Sequence, residues 1–139
     1  FYFVDIGPTG AWGMPNDQRL KKSLLNYQVA PLIVEPDAFD VYTVDGRQRF
    51  GCMMASFLHA SHHGADTSHT TVLLHDCAAT RAAEIKFGSN GRLIYHEADA
   101  LLDLGNHSGN KLCVYRRKPN TTDSQLLKLW HKHHHAWQR

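Results

Sequence analysis

One pattern recurs along this chain and limits what it can fold into. A short apolar run rich in β-branched or aromatic residues ends on an acid, then gives way to a turn and a helical segment. Phe1 to Ile6 carries Asp5 and breaks at Gly7-Pro8-Thr9-Gly10, Phe39 to Val44 breaks at Asp45-Gly46, and Thr70 to Leu74 ends on His75-Asp76. Each run reads as a buried strand. Behind the first, Arg19 to Val29 places Leu20, Leu24, Tyr27 and Gln28 at near-helical spacing until Pro31 interrupts. Behind the second, Phe50, Met53, Met54, Phe57 and Leu58 share one face of a helix over Arg49 to Ser61. Ala78 to Phe87 reads as a weaker third helix. Strand and helix in alternation specify a parallel sheet with helices on its faces, and the carboxyl ends of such strands are where these folds place ligands.

The pattern changes after residue 90. Leu93 to Tyr95 reads as a further strand, and Ala100 to Leu104 and Leu112 to Tyr115 are joined by the turn-rich stretch Gly105 to Asn110. That connection suits an antiparallel hairpin. Asp123 is placed to cap a final helix carrying Leu126, Leu127, Trp130 and His134. The expectation is an α/β, Rossmann-like, mostly parallel sheet with helices on both faces and a C-terminal antiparallel hairpin over residues 1–118. A His-rich helix over 119–139 follows it. A length of 139 residues with 42% hydrophobic content suits one domain.

Charge narrows the partners. Fifteen basic and 13 acidic residues are scattered, so neither a nucleic acid nor a membrane surface is expected as a partner. No apolar stretch approaches the roughly 18 residues of a membrane span, and a soluble, cytoplasmic protein is expected. Cys52, Cys77 and Cys113 lie in or beside apolar runs without a CxxC pair, which reads as buried thiols and not as a disulfide framework. The triplets starting at Asn106 and Asn120 match a glycosylation pattern that arises often by chance.

Three separate strands would deliver Asp5, Asp45 and His75-Asp76 to one rim of the sheet. Taken singly, each acid also suits a helix cap or a solvated turn. Arg47 and Arg49 bring cations beside Asp45, either to hold it ionised, to grip an anionic substrate, or to make a helix-entry salt bridge. Asp45 and Asp76 also offer hard oxygens that would suit a divalent cation such as Mg or Ca. His131, His133, His134 and His135 lack Cys partners and the HExxH spacing, so they read as a solvated cationic helix end. Gly7 to Gly13 lacks the Lys of a phosphate loop, and Trp12 in it suits stacking on a ring or covering the core.

In order, the blocks Val4-Asp5-Ile6-Gly7-Pro8-Thr9-Gly10-Ala11-Trp12-Gly13, Val44-Asp45-Gly46-Arg47-Gln48-Arg49 and Val72-Leu73-Leu74-His75-Asp76 resemble the class I S-adenosylmethionine-dependent methyltransferase superfamily, over about residues 1–118. The likeness is to an uncharacterised methyltransferase-like group within it. The resemblance implies that Asp5, Ile6, Gly7 and Trp12 lie on the cofactor side, with Asp5 and Ile6 near the adenine. It further implies that Asp45, Arg47, His75 and Asp76 face the reacting methyl group and a small-molecule or glycan-like substrate. By analogy with metal-dependent O-methyltransferases, Asp45 and Asp76 would hold a divalent metal. The family's glycine-rich loop and its ribose-binding acid would lie ahead of Phe1. The resemblance therefore implies a methyltransferase-like sheet lacking its first strands, a fragment or a chain inactive without its N-terminal half. Two other functions fit the same residues: a noncatalytic assembly or binding module that dimerises through an open sheet edge, and a metal-dependent sugar-nucleotide transferase.

Overall fold

The computed structural model describes residues 4–13, 15–17, 21–77, 94–105 and 111–134, with side chains except at 12, 21–24 and 31. The strand expected over Phe1 to Ile6 lies partly outside these residues, and Val4 to Gly7 runs without regular structure. A 3-10 turn over Ala11–Gly13 follows. The elements after it are α1 (Lys21–Val34), β1 (Val41–Val44), α2 (Arg49–His62), β2 (Thr71–His75), α3 (Ile94–Ala98), β3 (Leu102–Leu104), β4 (Leu112–Arg117) and α4 (Asp123–His133).

The sheet runs β1-β2-β4-β3. β1 pairs parallel to β2, with Val41 opposite Thr71 and Val44 opposite Leu74. β4 is antiparallel to both β2 and β3, which is the expected closing pair. Alternation decides which face is buried: Tyr42 and Val44, Val72 and Leu74, Cys113 and Tyr115 all point into the core. On the same side α2 contributes Phe50, Met53, Met54 and Phe57, each at most 1% exposed. Full burial of such side chains stabilises the fold by roughly 1.5–3 kcal/mol apiece. α4 adds Leu126 and α3 adds Ile94, Tyr95 and Ala98. The ring of Phe50 meets Tyr95 and the buried His133 edge-on, at centroid distances of 5.6 and 5.5 Å.

Several elements differ from the sequence reading, each for a local reason. α1 continues through Pro31, which stands in its last turn, where a missing N–H removes a single bond of the helical ladder. β1 begins at Val41 and not at Phe39, because the Phe39 N–H donates to the Tyr42 hydroxyl at 3.2 Å instead of to a neighbouring strand. Where a strand was expected over Leu93 to Tyr95, Ile94 opens a helix; Ile94, Tyr95 and Ala98 recur on one helical face, and so short an apolar run does not separate the two periods. α4 is capped by Thr122 and not by Asp123. The Thr122 side chain accepts from Gln125 N–H while Gln125 Oε1 accepts from Thr122 N–H at 2.8 Å, a complete capping box. Asp123 instead pairs with Arg117 at 2.6 Å and accepts from Ser61 Oγ at 2.8 Å. The helix expected over Ala78 to Phe87 lies outside the described residues.

The cysteine expectation is corrected outright. Cys77 and Cys113 form a disulfide with a Cα separation of 5.6 Å. They are 36 positions apart in sequence, and antiparallel pairing sets Cys113 opposite Leu74, beside the end of β2. Cys52 remains a thiol, and burial pushes its pKa up to about 12.

The helix termini meet through Gln28, which is buried in α1. Its Oε1 accepts from Trp130 Nε1 at 2.9 Å, and its Nε2 donates to His134 O at 2.9 Å and to Gln48 Oε1 at 3.3 Å. The His-rich end of α4 is therefore not a uniformly solvated terminus. His134 stacks on Trp130 with centroids 4.8 Å apart, and His133 is buried with Nε2 3.0 Å from Glu97 Oε2.

Candidate functional site

Register assembles the site. Since Val44 lies opposite Leu74 in a parallel pair, the next residue of each strand, Asp45 and His75, emerge side by side at the carboxyl rim. His75 Nδ1 lies 3.2 Å from Asp45 Oδ1 and 3.6 Å from Asp76 Oδ1. These are ion-pair distances, but neither contact is a hydrogen bond, so Nδ1 is buried against two carboxylates without a formed bond. Asp76 turns back toward His75 because its backbone is left-handed, φ 55°.

The sequence placed both arginines beside Asp45. The structure gives Arg49 to Asp76 instead, Nη2 to Oδ2 at 3.3 Å, and Arg49 Nε is buried without a protein hydrogen bond. Two buried polar atoms lacking partners in one spot is unusual in a folded protein, where such groups are paired with protein, water or ligand.

These side chains line a cavity of 410 Å³. Ile6, Thr9 and Gly13 from the N-terminal loop close one side, Tyr27 from α1 another, and Asp45 to Arg47, Arg49, His75 and Asp76 form the base. A second cavity of 250 Å³ adjoins it and shares Tyr27 and Asp45 to Arg47, with a mostly apolar wall that includes Leu32, Tyr42, Val44 and Cys52. Tyr27 thus stands between two chambers. Burial raises its pKa, with the negative charge that Cys52 would carry adding to the effect, against a backbone hydrogen bond from Arg47 and the Arg49 cation. Its hydroxyl comes so close to Gly46 that a Cβ there would sit 2.7 Å from it, and the backbone φ of 159° is one that side chains rarely adopt, so both contact and conformation favour glycine.

Of the residues named from sequence, Asp45, Arg47, His75 and Asp76 share this cavity, and Ile6 faces it from across the opening. Asp5 does not line it: its exposed carboxylate accepts from Gly7 N–H at 2.8 Å and shapes the loop. Gly7 continues that turn with φ 77°. The side chain of Trp12 lies outside the described residues. Tyr27 was missed as a site residue, since helical spacing identified only its face. Among the described residues no three His, Cys, Asp or Glu side chains are grouped to hold a metal ion. Asp45 and Asp76 contact His75 and Arg49. No helix among the described residues is long and apolar enough to cross a membrane.

No protein-family model matches the chain, and no curated protein matches it by search. Among solved structures it is similar to a methyltransferase-like protein from Silicibacter pomeroyi, at 25% sequence identity and a TM-score of 0.59. The likeness covers 93% of this chain and 59% of that one. The mixed sheet, its helices and this neighbour together show a methyltransferase-like α/β fold.

Proposed function

We propose that the chain is the acceptor side of an S-adenosylmethionine-dependent methyltransferase acting on a small-molecule or glycan-like nucleophile. The observation that carries this reading is His75, held against Asp45 and Asp76 on the wall of a cavity at the carboxyl rim of parallel strands. The residues present fit the cofactor's charge: two carboxylates suit a sulfonium cation, and Ile6 offers apolar surface to a base. When bound, S-adenosylmethionine supplies an electrophilic methyl group. The protein's own task is to orient the acceptor and accept its proton.

His75 is built for that task. With Nδ1 turned to Asp45 and Asp76, Nε2 is left as the ring nitrogen that can accept the acceptor's proton. Contacts of this kind commonly tighten when substrate binds. Arg49 restrains Asp76 through their ion pair. Arg47, on the wall shared by both cavities, orients an anionic or hydroxyl-bearing acceptor. Tyr27, its phenol held protonated by the raised pKa, donates a hydrogen bond between the chambers.

Titration with S-adenosylhomocysteine followed by amide chemical shifts tests the reading. Saturable shifts at Ile6, Asp45 to Arg47 and His75, lost in Asp45→Ala, are expected. A folded chain whose spectrum does not move would overturn it.

The assembly reading keeps one observation of its own. Among the described residues β1 is an edge strand, and Val41 beside Phe39 leaves apolar surface exposed there. Sedimentation across a hundredfold range of concentration separates the readings, because a strict monomer removes the homodimer.

A further inference from the structure

Beyond its ligand chemistry, the site has a covalent support that the methyltransferase reading does not use. Sheet pairing along β2 ends at His75, opposite Leu112. Asp76 follows with φ 55°, and Cys77 comes next, 1% exposed and bonded to the fully buried Cys113 of β4. The Cys77 sulfur also lies 3.6 Å from the Tyr115 hydroxyl, two residues further along the same strand. Asp76 is therefore held between a strand end and a disulfide. A residue in the left-handed region reverts to commoner conformations unless its surroundings hold it, and here the bond to Cys113 fixes the far side.

We infer that Cys77–Cys113 is an oxidative clasp for the His75-Asp76 corner, so that the geometry of the candidate site depends on the thiol redox state of the chain. Closing it oxidises two thiols and needs a two-electron acceptor of the small-disulfide class, such as oxidised glutathione. One cysteine thiolate attacks that disulfide and releases one glutathione. The second cysteine thiolate displaces the other glutathione, forming the Sγ–Sγ bond, and the two protons end on the two glutathione thiols. Both half-cystines are sealed in the core, Cys113 opposite Leu74 and the Cys77 sulfur beside the Tyr115 hydroxyl. Exchange with solvent reagents then requires the end of β2 to open, so the bond closes with folding and resists reductant in the native state.

Cys52 gives the experiment an internal reference, being the one free thiol among the described residues. Equilibrate the full chain with oxidised glutathione, then alkylate it in urea with and without prior reduction. One modified cysteine without reduction and three after it are expected, with a linked peptide pair carrying Cys77 and Cys113. Reduction is expected to lower the urea midpoint by roughly 2 M, the effect of reopening a loop of this size. It is also expected to speed amide exchange at His75 to Cys77 more than in α2. A Cys77→Ala/Cys113→Ala chain should show no response to reductant. Three modified cysteines after oxidation would overturn the clasp, and so would a midpoint or exchange pattern indifferent to reduction. Neither result depends on cofactor binding, so failure here is distinct from failure of the methyltransferase reading.

Discussion

Gly46 is the residue at which the site has least room. A methyl group there would lie 2.7 Å from the Tyr27 hydroxyl, while the next ring atom is 3.9 Å away. Gly46→Ala is therefore expected to destabilise the chain by about 1–3 kcal/mol, the usual range for overpacking. The φ of 159° at Gly46 is strained for any side chain, so Tyr27→Phe, which removes the clashing oxygen, should recover only part of that loss, as a double-mutant cycle in urea would read. If Tyr27→Phe recovers nothing, the close approach is not what requires glycine. The same few residues show what a sequence discloses. Asp45 and His75 could be brought to one rim by reading, because Asp45 follows β1, His75 ends β2 and parallel register does the rest. The Tyr27 contact could not, since it depends on the angle at which α1 crosses the rim, and spacing within α1 does not encode that angle.

At the level of elements, α4 is fastened at both ends by chemistry that can be tested separately. Its start depends on Thr122, whose capping box with Gln125 satisfies otherwise unpaired N–H groups. Thr122→Ala is expected to cost about 1 kcal/mol, whereas Asp123→Ala removes exposed contacts and should cost less. Thermal melts of the two variants rank them, and the reverse order would show Asp123 to be the cap after all. The far end depends on Glu97. A hydrogen bond from Lys132 holds its carboxyl below the ordinary 4.5, burial opposes that, and a bond to His133 adds to the lowering. A carboxylate with a depressed folded pKa stabilises the native state above its unfolded value and loses that contribution as pH falls through the folded one. Stability should thus decline below about pH 4.5 more steeply in the native chain than in Glu97→Gln, as paired urea titrations would record. This tie was hidden in the sequence, where a run of histidines and lysines after residue 130 reads as solvated. Burial of His133 follows from the seating of α4 on α2 and α3, which no periodicity within α4 reveals. The mistaken strand at Leu93 to Tyr95 has a related origin, for three apolar residues satisfy a strand or the first turn of a helix equally well.

Over the whole molecule, the parallel β1–β2 pair, the long α2 between them and the antiparallel closing strands were legible, because alternation, helical spacing and turn residues all pointed to one architecture. The disulfide was not. Cys77 and Cys113 become neighbours through the pairing of β2 with β4, a fact of topology that two isolated cysteines cannot announce. Gln28 is a third case of the same kind, and its partners lie 102 and 106 positions away. Contacts that close so much chain form late, because the entropy of closure is lost before any contact returns it. The β1, α2 and β2 segment is therefore expected to organise first, with α1 and α4 locking together afterwards. In refolding of a Trp12→Phe/Trp137→Phe chain, the Trp130 fluorescence change should trail the gain of backbone ellipticity. Simultaneous arrival would place α4 docking in the first event instead. Synthesis imposes the same order on the ribosome: Gln28 is made more than a hundred residues before its partners and then waits, its amide solvated, until they exist.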